Sequence, residues 1–452
     1  MQASSHESRL MFHHSADQLQ ELCQQAINKA RKQGASSVEI DISESAGQNV
    51  QVRQQNVEHI EYQQDKSLDV TVYVGQAKGR ASTADFNNKA IDEVIRAALN
   101  IARFTAQDDC AGLADAALLA TEFGDTESFF PWRLSADEAI EIGKKTEQAA
   151  LDTDERIKNS EGAEVQTDHY QFVYANSYDF CAYQRGSRHS ISCSVVAADA
   201  SGMQRDYWYD LARDARDLAD AEIIGQTAAT RTVRRLDGRS VATGKYPVIF
   251  DTTIAGSLIG HLVGALSGSA LYRQTSFLVD SLGKQIMAPW VCLTEKPHVK
   301  KALASTYFDA EGVATHERTV INEGSVEGYF LGSYSARKLG MRTTGNAGGV
   351  HNLYLNHTHA SQDDLLKTMG TGLLVTELMG QGVNAITGDY SRGAAGFWVE
   401  NGVIAYPVEG ITIASRLQEM FMAMVGAADD ALKRSTHKVG SILIDNMTIA
   451  GA

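Results

Sequence analysis

Cysteine is scarce in this sequence, and the cysteines that occur have no regular spacing. Cys23, Cys110, Cys181, Cys193 and Cys292 form an odd, scattered set without a CxxC pair. Such a set is typical of a reducing compartment, where most cysteines are small buried hydrophobic side chains.

Long apolar runs are also absent. No stretch approaches the roughly 18 apolar residues that a membrane-spanning helix requires. The N-terminal segment MQASSHESRLMFHHSAD has no apolar core of signal-peptide length. These absences predict a cytoplasmic protein with no membrane partner, and we expect residues 1–15 to be a disordered leader.

Positive charge is limited. The sequence has 41 lysines and arginines against 56 aspartates and glutamates, so its formal net charge is −15. A nucleic-acid-binding protein normally presents a basic face. The one short basic stretch, VRRLDGR (233–239), is more typical of a solvated linker, so the composition argues against nucleic acid as a partner.

The chain has ample material for a hydrophobic core. Its hydrophobic fraction of 43% and charged fraction of 21% are those of a soluble globular protein. A length of 452 residues predicts two or three domains.

The first half of the chain alternates between helical and strand periodicity. Ser15 or Asp17 is expected to cap a helix that runs to Gly34, and a second helix is predicted at 88–105. Between them, period-two alternation predicts a meander of antiparallel strands at 37–45, 49–55, 57–65 and 68–74.

The same order of elements then recurs. A helix at 136–151 and another near 217–235 enclose three stretches with strand alternation, at 165–174, 178–184 and 189–198. This similarity indicates an internal duplication within one N-terminal α+β domain, residues 16–238.

The composition changes at RRLDGRSVATGKYP (234–247), a polar, turn-rich stretch that predicts a domain boundary. The C-terminal domain, 245–452, is rich in glycine, with seven glycines in the 29 residues 370–398. Repeated glycine favours the close chain approach of a bent sheet or barrel, and ENG (400–402) predicts a hairpin turn. The fold class is therefore α+β in two domains, the second mainly antiparallel β.

One helix invites comparison with zinc proteases. SLIGHLVGALSG (257–268) contains His261, but position i+4 is Ala265, so the second ligand of a zinc helix is missing. Glycines 260, 264 and 268 predict a flat face against which another backbone can lie. We expect His261 to pack at the rim of this face, hydrogen-bonded to a carbonyl.

Other histidines offer weaker candidates. His316-Glu317 has Val320 at i+4, so a solvated pair on a strand is the stronger interpretation. In VHNLYLNHTHA (350–360), His357 and His359 would share one strand face and could bind a metal with His351 as a third ligand. The alternative is an exposed polar strand end.

Two common enzyme motifs are missing. The sequence has no GxSxG nucleophile elbow, and TTGNAGGVHNL (343–353) is not a GxxxxGK[ST] phosphate loop. The glycine-bounded segment TGDYSRGAAG (387–396) contains Asp389 and Arg392. Arg392 could recognise a ligand carboxylate or a peptide terminus, although a structural turn with an internal Asp389–Arg392 pair is the more common case.

Three segments carry a family resemblance. TGNAGGVHNLYL (344–355), the glycine-rich stretch 376–414 and YPVIFDTTIAGSLIGHLVGALSG with its continuation to 286 resemble the C-terminal half of the TldD/PmbA family, also called the modulator of DNA gyrase family. The chain from about residue 16 fits the length and two-domain plan of that family. Within the family it is similar to the PmbA/TldE subgroup rather than to TldD.

The resemblance implies that the zinc site of the family is missing here. TldD-type members carry HExxxH on this helix and a late cysteine as third ligand. In this chain Gly260 and Ala265 take the histidine positions, His261 takes the glutamate position and Val439 takes the cysteine position. The resemblance thus implies no metal ligand and no catalytic residue in this chain.

The resemblance also implies a function. It predicts a non-catalytic subunit of a TldD–TldE zinc metalloprotease that acts on unfolded or short peptides, with the zinc in the TldD-type partner and a homodimer when the chain is alone. Asn346, His351, Asp389 and Arg392 are the candidate peptide or partner surface. Two alternatives stay open: a metallopeptidase active alone through His351, His357 and His359 or His261, and a stand-alone peptide-binding scaffold.

Overall fold

The computed structural model describes residues 12–451, and these residues form an N-terminal and a C-terminal region. The N-terminal region contains four helices and six strands: α1 (Ala16–Lys32), β1 (Ser37–Arg53), β2 (Asn56–Val74), β3 (Ala77–Thr83), α2 (Asn88–Phe104), α3 (Ala136–Leu151), β4 (Ile157–Asn176), β5 (Cys181–Asp199), β6 (Gly202–Ala212) and α4 (Ala221–Val233).

These six strands make one antiparallel sheet in the order β3-β2-β1-β4-β5-β6. Two three-stranded meanders therefore meet at the β1–β4 pair. Each meander is preceded and followed by a helix, so the order α-β-β-β-α occurs twice, which is the arrangement that a duplication would produce. Each half has its own apolar core beneath its helices.

The first meander has fewer and longer strands than the sequence suggests. The predicted strands 37–45 and 49–55 belong to β1, and 57–65 and 68–74 belong to β2. Pairing continues through the polar residues between them, because the backbone hydrogen bonds of β1 and β2 do not depend on apolar side chains. The chain turns only at Gln54 and Gln55, where φ is +50° and +60°.

The start of the first domain differs from the predicted leader. Residues 1–11 lie outside the described residues, but Phe12 is buried and Ser15 caps α1 in a capping box with Gln18. His14 Nδ1 lies 2.5 Å from a carboxylate oxygen of Glu44 on β1. The last four residues of the predicted leader are therefore part of the domain.

The cysteines are less buried than expected. All five are free, and only Cys23 and Cys193 are buried. Cys181 is exposed, and Cys110 and Cys292 are partly exposed, because they lie outside the apolar cores of the helices and sheet.

The C-terminal region contains shorter elements: β7 (Gly244–Phe250), α5 (Thr252–Ala265), α6 (Gly268–Tyr272), β8 (Leu293–Lys296), β9 (Arg318–Asn322), β10 (Ser325–Val326), α7 (Ser333–Lys338), β11 (Asn352–Leu355), α8 (Gln362–Met369), β12 (Gly372–Met379), β13 (Asp389–Glu400), β14 (Val403–Arg416), α9 (Leu417–Met422), β15 (Met424–Ala427), β16 (His437–Lys438) and β17 (Ile442–Ala450). Across residues 12–451, no helix is long and apolar enough to cross a membrane.

Five of these strands close on themselves. The order β14-β13-β12-β7-β17 is completed by pairing of β14 with β17, which gives the predicted barrel. Only β7 and β12 pair in parallel within it, so the sheet is mainly antiparallel. A second sheet, β10-β9-β8-β11-β16, lies in the same region.

Glycine permits close strand contact in this barrel. A Cβ atom on Gly396 would lie 1.9 Å from the carbonyl oxygen of Leu374 on β12, so no larger residue fits there without movement. The predicted hairpin turn is confirmed between β13 and β14, where Asn401 and Gly402 have φ of +51° and +76°.

The two regions contact each other directly. Arg337 on α7 donates hydrogen bonds to the carbonyl oxygens of Cys110, Gly112 and Leu113 in the loop after α2. Arg235 forms an ion pair with Glu377 on β12, so part of the predicted solvated linker 233–239 is an anchored segment.

Candidate functional site

Helix α5 directly follows strand β7 and is fixed at its start by Asp251. The Asp251 carboxylate accepts a hydrogen bond of 2.9 Å from the backbone N–H of Thr253. The helix therefore begins at Thr252, before the predicted Ser257, and ends at Ala265. Its apolar side packs into the core of the C-terminal region through Leu258, Ile259 and Leu262.

The predicted glycine face is shorter than expected and is open. Gly268 belongs to α6 and is packed against Ser335, so it does not extend the face of α5. No atom lies within 4 Å of where a Cβ would stand on Gly260 or Gly264. Within this chain, the face at these two glycines therefore has room for an approaching group.

The three residues that the family resemblance aligns with zinc ligands do not fit a zinc ion. Gly260, Ala265 and Val439 have no side-chain nitrogen, oxygen or thiolate to donate. Ala265 and Val439 are each 2% exposed and belong to the apolar core. The side chains at these three positions therefore cannot bind zinc.

His261 does not make the expected hydrogen bond to a carbonyl. Its Nε2 atom is buried without a hydrogen-bond partner among the described residues, because the ring turns towards the barrel. The ring instead meets Tyr390 edge to face, with centroids 6.0 Å apart. Burial and the nearby Arg392 charge both lower the pKa of His261, so the imidazole is neutral at neutral pH.

Tyr390 and Arg392 lie on strand β13 rather than in a loop. Tyr390 is 1% exposed, and burial raises the pKa of its hydroxyl to about 12 against the opposing effect of the Arg392 guanidinium. The predicted Asp389–Arg392 pair is wrong, because successive side chains of a strand point to opposite sides. Asp389 is exposed and lies 3.5 Å from Nε of Arg416 on β14.

Asn346 and His351 belong to a buried polar network, so their predicted surface position is corrected. The centre of the network is Glu295 on β8, which is 1% exposed. Its Oε1 accepts hydrogen bonds from Asn346 at 2.7 Å and from the backbone of His351 at 2.8 Å, and its Oε2 lies 2.7 Å from Nε of Arg318. Burial favours the neutral acid, but His351 and Arg318 outweigh it and lower the pKa of Glu295 to about 2.

The other histidine candidates have separate surroundings. His359 contacts Thr358 and Thr368 through its two ring nitrogens, whereas the exposed His357 lies 3.7 Å from Asp429. His351 is held by Glu295 through Nδ1 at 2.9 Å. The three histidines do not share one strand, since β11 ends at Leu355. His316 and Glu317 are both exposed, as the solvated-pair interpretation predicts, although they precede β9 rather than lie on it.

Sequence reasoning missed Glu295, Arg318 and a basic cleft between the two regions. The cleft has a volume of about 650 Å³, and Lys300, Lys433 and Arg434 are among the residues that line it. The Arg434 guanidinium lies over the rings of Trp208 and Tyr209, at 4.2 and 4.1 Å from their centroids. No local motif marks these residues, because they come together only when both regions are folded.

Comparison with known proteins places the chain in a family. Family models described as PmbA/TldA metallopeptidase domain 1, central domain and C-terminal domain match residues 38–102, 130–236 and 243–451. The chain belongs to the PmbA/TldD family. It is 47% identical to metalloprotease PmbA of Escherichia coli O157:H7 over 92% of this chain and 93% of that protein. It is 45% identical to a PmbA homolog of Haemophilus influenzae over 94% of each chain.

Solved structures agree with the fold, and the chain is more similar to PmbA relatives than to a TldD homolog. A crystal structure of a candidate modulator of DNA gyrase from Bacteroides thetaiotaomicron matches with a TM-score of 0.92 and 27% identity, over 96% of this chain and 99% of that chain. TldE of Thermococcus kodakarensis shares the fold, with a TM-score of 0.83 at 20% identity over 95% of this chain and 100% of that chain. A TldD homolog of Haemophilus influenzae is only 23% identical, over 46% of each chain.

Proposed function

We propose that this chain is the TldE-type, non-catalytic subunit of a TldD–TldE zinc metalloprotease that acts on unfolded or short peptides. The observation that carries the proposal is the composition of α5. The helix is present, and the positions that the resemblance aligns with the zinc ligands are Gly260, Ala265 and Val439. A helix that packs into the core but lacks ligand atoms at these positions fits a subunit with a structural rather than a metal-binding role.

The proposal assigns zinc and catalysis to a TldD-type partner. Without paired ligands, this chain has no metal-bound water to activate at α5. Its contribution would be a wall of the peptide cavity, for which the open side of α5 at Gly260 and Gly264 is a candidate surface. We expect the complex to be cytoplasmic and the chain to form a homodimer when the partner is absent.

The distribution of relatives supports a two-subunit system. Haemophilus influenzae carries both a PmbA homolog and a TldD homolog, and the chain is far more similar to the first. Two retained branches in one organism are consistent with two different roles.

Reconstitution tests the proposal. The chain, its TldD-type partner and the mixture are purified, and each is examined for co-elution, bound zinc and cleavage of an unstructured peptide. The expected result is a mixed complex whose zinc and chelator-sensitive cleavage depend on the partner's HExxxH motif. The partner with its first motif histidine changed to alanine should still co-elute with this chain but lose cleavage.

Two outcomes favour the alternatives. Stoichiometric zinc and chelator-sensitive cleavage by the lone chain would contradict a non-catalytic role, and their loss in His357→Ala or His359→Ala, but not in the exposed control His316→Ala, would locate the metal. Peptide binding by the lone chain without co-elution with any TldD-type protein would favour the stand-alone scaffold.

A further inference from the structure

Four polar side chains from two elements converge beside the open face of α5. Ser257 and His261 lie one turn apart on the helix, and Tyr390 and Arg392 lie two residues apart on the same side of β13. The ring contact between His261 and Tyr390 links the two elements. The Arg392 charge acts on both rings, and Ser257 lies one turn before His261 on the helix. These four side chains are here called the α5–β13 cluster.

Each member of the α5–β13 cluster has a buried polar atom without a hydrogen-bond partner of normal geometry among residues 12–451. These atoms are Ser257 Oγ, His261 Nε2, Tyr390 OH and Arg392 Nε. Tyr390 is the most deeply buried, at 1% exposed. Buried polar atoms are nearly always hydrogen-bonded in folded proteins, so four unpartnered ones at a single place indicate a ligand that bonds to them.

The charge of the cluster selects an anionic ligand. Arginine, tyrosine, serine and neutral histidine can all donate hydrogen bonds, and only arginine carries a fixed charge. The neighbouring acid, Asp389, lies on the other side of the strand, where it contacts Arg416 and accepts a hydrogen bond of 2.6 Å from Thr387. No carboxylate of residues 12–451 forms an ion pair with Arg392. The cluster therefore combines donors with one guanidinium that has no ion-pair partner there, which matches the two oxygens of a carboxylate.

The open glycine face leaves room for a peptide to approach the helix beside these donors. Gly260 and Gly264 lie on the same side of α5 as Ser257 and His261, since these positions are three or four residues apart. A Cβ at either glycine would meet no atom within 4 Å. An extended chain can thus approach the helix backbone beside Ser257 and His261.

We propose that the α5–β13 cluster binds the C-terminal carboxylate of a peptide. This inference rests on the proposed peptide-handling function and deepens it, because it gives the subunit without zinc a role in holding one end of the peptide. The position that would carry a catalytic glutamate in a TldD-type helix here holds the neutral His261 as a hydrogen-bond donor.

The inference is tested with the purified full chain and three fluorescein-labelled, unstructured peptides. One has a free C-terminus and no acidic side chain, the second has a C-terminal amide, and the third has the amide and one internal glutamate. Fluorescence anisotropy should show that the free acid binds about tenfold or more tightly than the amide. Arg392→Gln and Tyr390→Phe should each remove most of this preference, because the first removes the guanidinium charge and the second removes the hydroxyl donor.

Arg416→Gln is the matched control. Arg416 is also an arginine of the barrel, but it pairs with Asp389 on the other side of β13 and should leave the preference unchanged. Tyr390→Phe removes only the hydroxyl and keeps the ring, so a loss of binding in this variant is not explained by misfolding. Equal binding of acid and amide would overturn the inference, as would binding of the internal-glutamate amide as tightly as the free acid.

The reconstitution experiment remains independent of this result. If none of the three peptides binds the chain or the mixed complex, the α5–β13 cluster is not a peptide site and the inference is wrong. The proposed subunit role fails only if co-elution and partner-dependent cleavage also fail.

Discussion

His261 on α5 and Tyr390 on β13 meet edge to face, with ring centroids 6.0 Å apart and planes at 81°. This contact joins α5 to the barrel through two aromatic rings. Edge-to-face pairs of this kind are worth about 0.5–1.5 kcal/mol beyond the area they bury. The contact therefore helps to fix the helix against the barrel.

Removing the Tyr390 hydroxyl should stabilise the folded chain and weaken peptide binding. The hydroxyl is buried without a partner of normal geometry among the described residues, so Tyr390→Phe should raise the free energy of unfolding by about 1 kcal/mol. Urea denaturation of the purified chain measures this, and the peptide assay should show weaker binding in the same variant. Tyr390→Leu, which also loses the ring contact, should be destabilised by about 2 kcal/mol. A destabilised Tyr390→Phe would mean that the hydroxyl has a partner.

The Glu295 carboxylate should be essential for the stability of the C-terminal region. Glu295→Gln keeps the shape but leaves Arg318 and His351 without their anionic partner, so we expect a loss of about 3–5 kcal/mol in the free energy of unfolding. Arg318→Met in the Glu295→Gln background should restore part of that loss. An unchanged urea midpoint for Glu295→Gln would contradict a structural role for the network.

Glu295 should also contribute to acid sensitivity. Folding lowers the pKa of Glu295 from its ordinary value of 4.5 to about 2. Because the folded-state pKa is lowered, the stabilisation is fully present above pH 4.5 and is lost as the pH falls towards 2. Urea denaturation at intervals from pH 6 to pH 3 should show a shallower slope below pH 4.5 for Glu295→Gln than for the unchanged chain.

His169 should make the N-terminal region sensitive to milder acid. The ring is buried beside His189, and its Nε2 accepts a hydrogen bond of 3.3 Å from the backbone N–H of Trp132. Burial and the neighbouring His189 lower the pKa of His169 from 6.5 to about 4. The unfolded chain therefore binds more protons between these values, so stability falls by up to about 3 kcal/mol as the pH drops from 6.5 to 4.

Tryptophan fluorescence during urea denaturation reports this effect, because Trp132 lies against both histidines. His169→Gln keeps a hydrogen-bond acceptor for the Trp132 backbone but cannot be protonated. It should flatten the pH dependence between 6.5 and 4, with a remaining slope from His189, whose pKa is lowered by burial. An identical slope in His169→Gln and the unchanged chain would show that other groups control the acid response.

Local signals in the sequence predict the helices, strands and turns well. The predictions that were wrong concern side chains whose surroundings depend on long-range contacts. The cap at Ser15, the helix at 136–151 and the turn at Asn401-Gly402 follow from residues within a few positions of each other. The Glu295 network joins residues more than 50 positions apart, so neither periodicity nor a motif marks it. The surroundings of His261 also depend on a long-range contact, because Tyr390 on β13 is far from α5 along the chain.

A pair of glycine substitutions tests whether the face of α5 is open. Gly260 lies within the helix with no atom within 4 Å of a Cβ, so Gly260→Ala should raise the free energy of unfolding by about 0.5–1 kcal/mol, since alanine costs less entropy in a helix. Gly396→Ala is the contrast, because its Cβ would overlap the Leu374 carbonyl oxygen, and we expect a loss of about 3 kcal/mol. Urea denaturation at low protein concentration measures both. A destabilised Gly260→Ala would mean that another chain covers this face, and the loss would then grow with protein concentration.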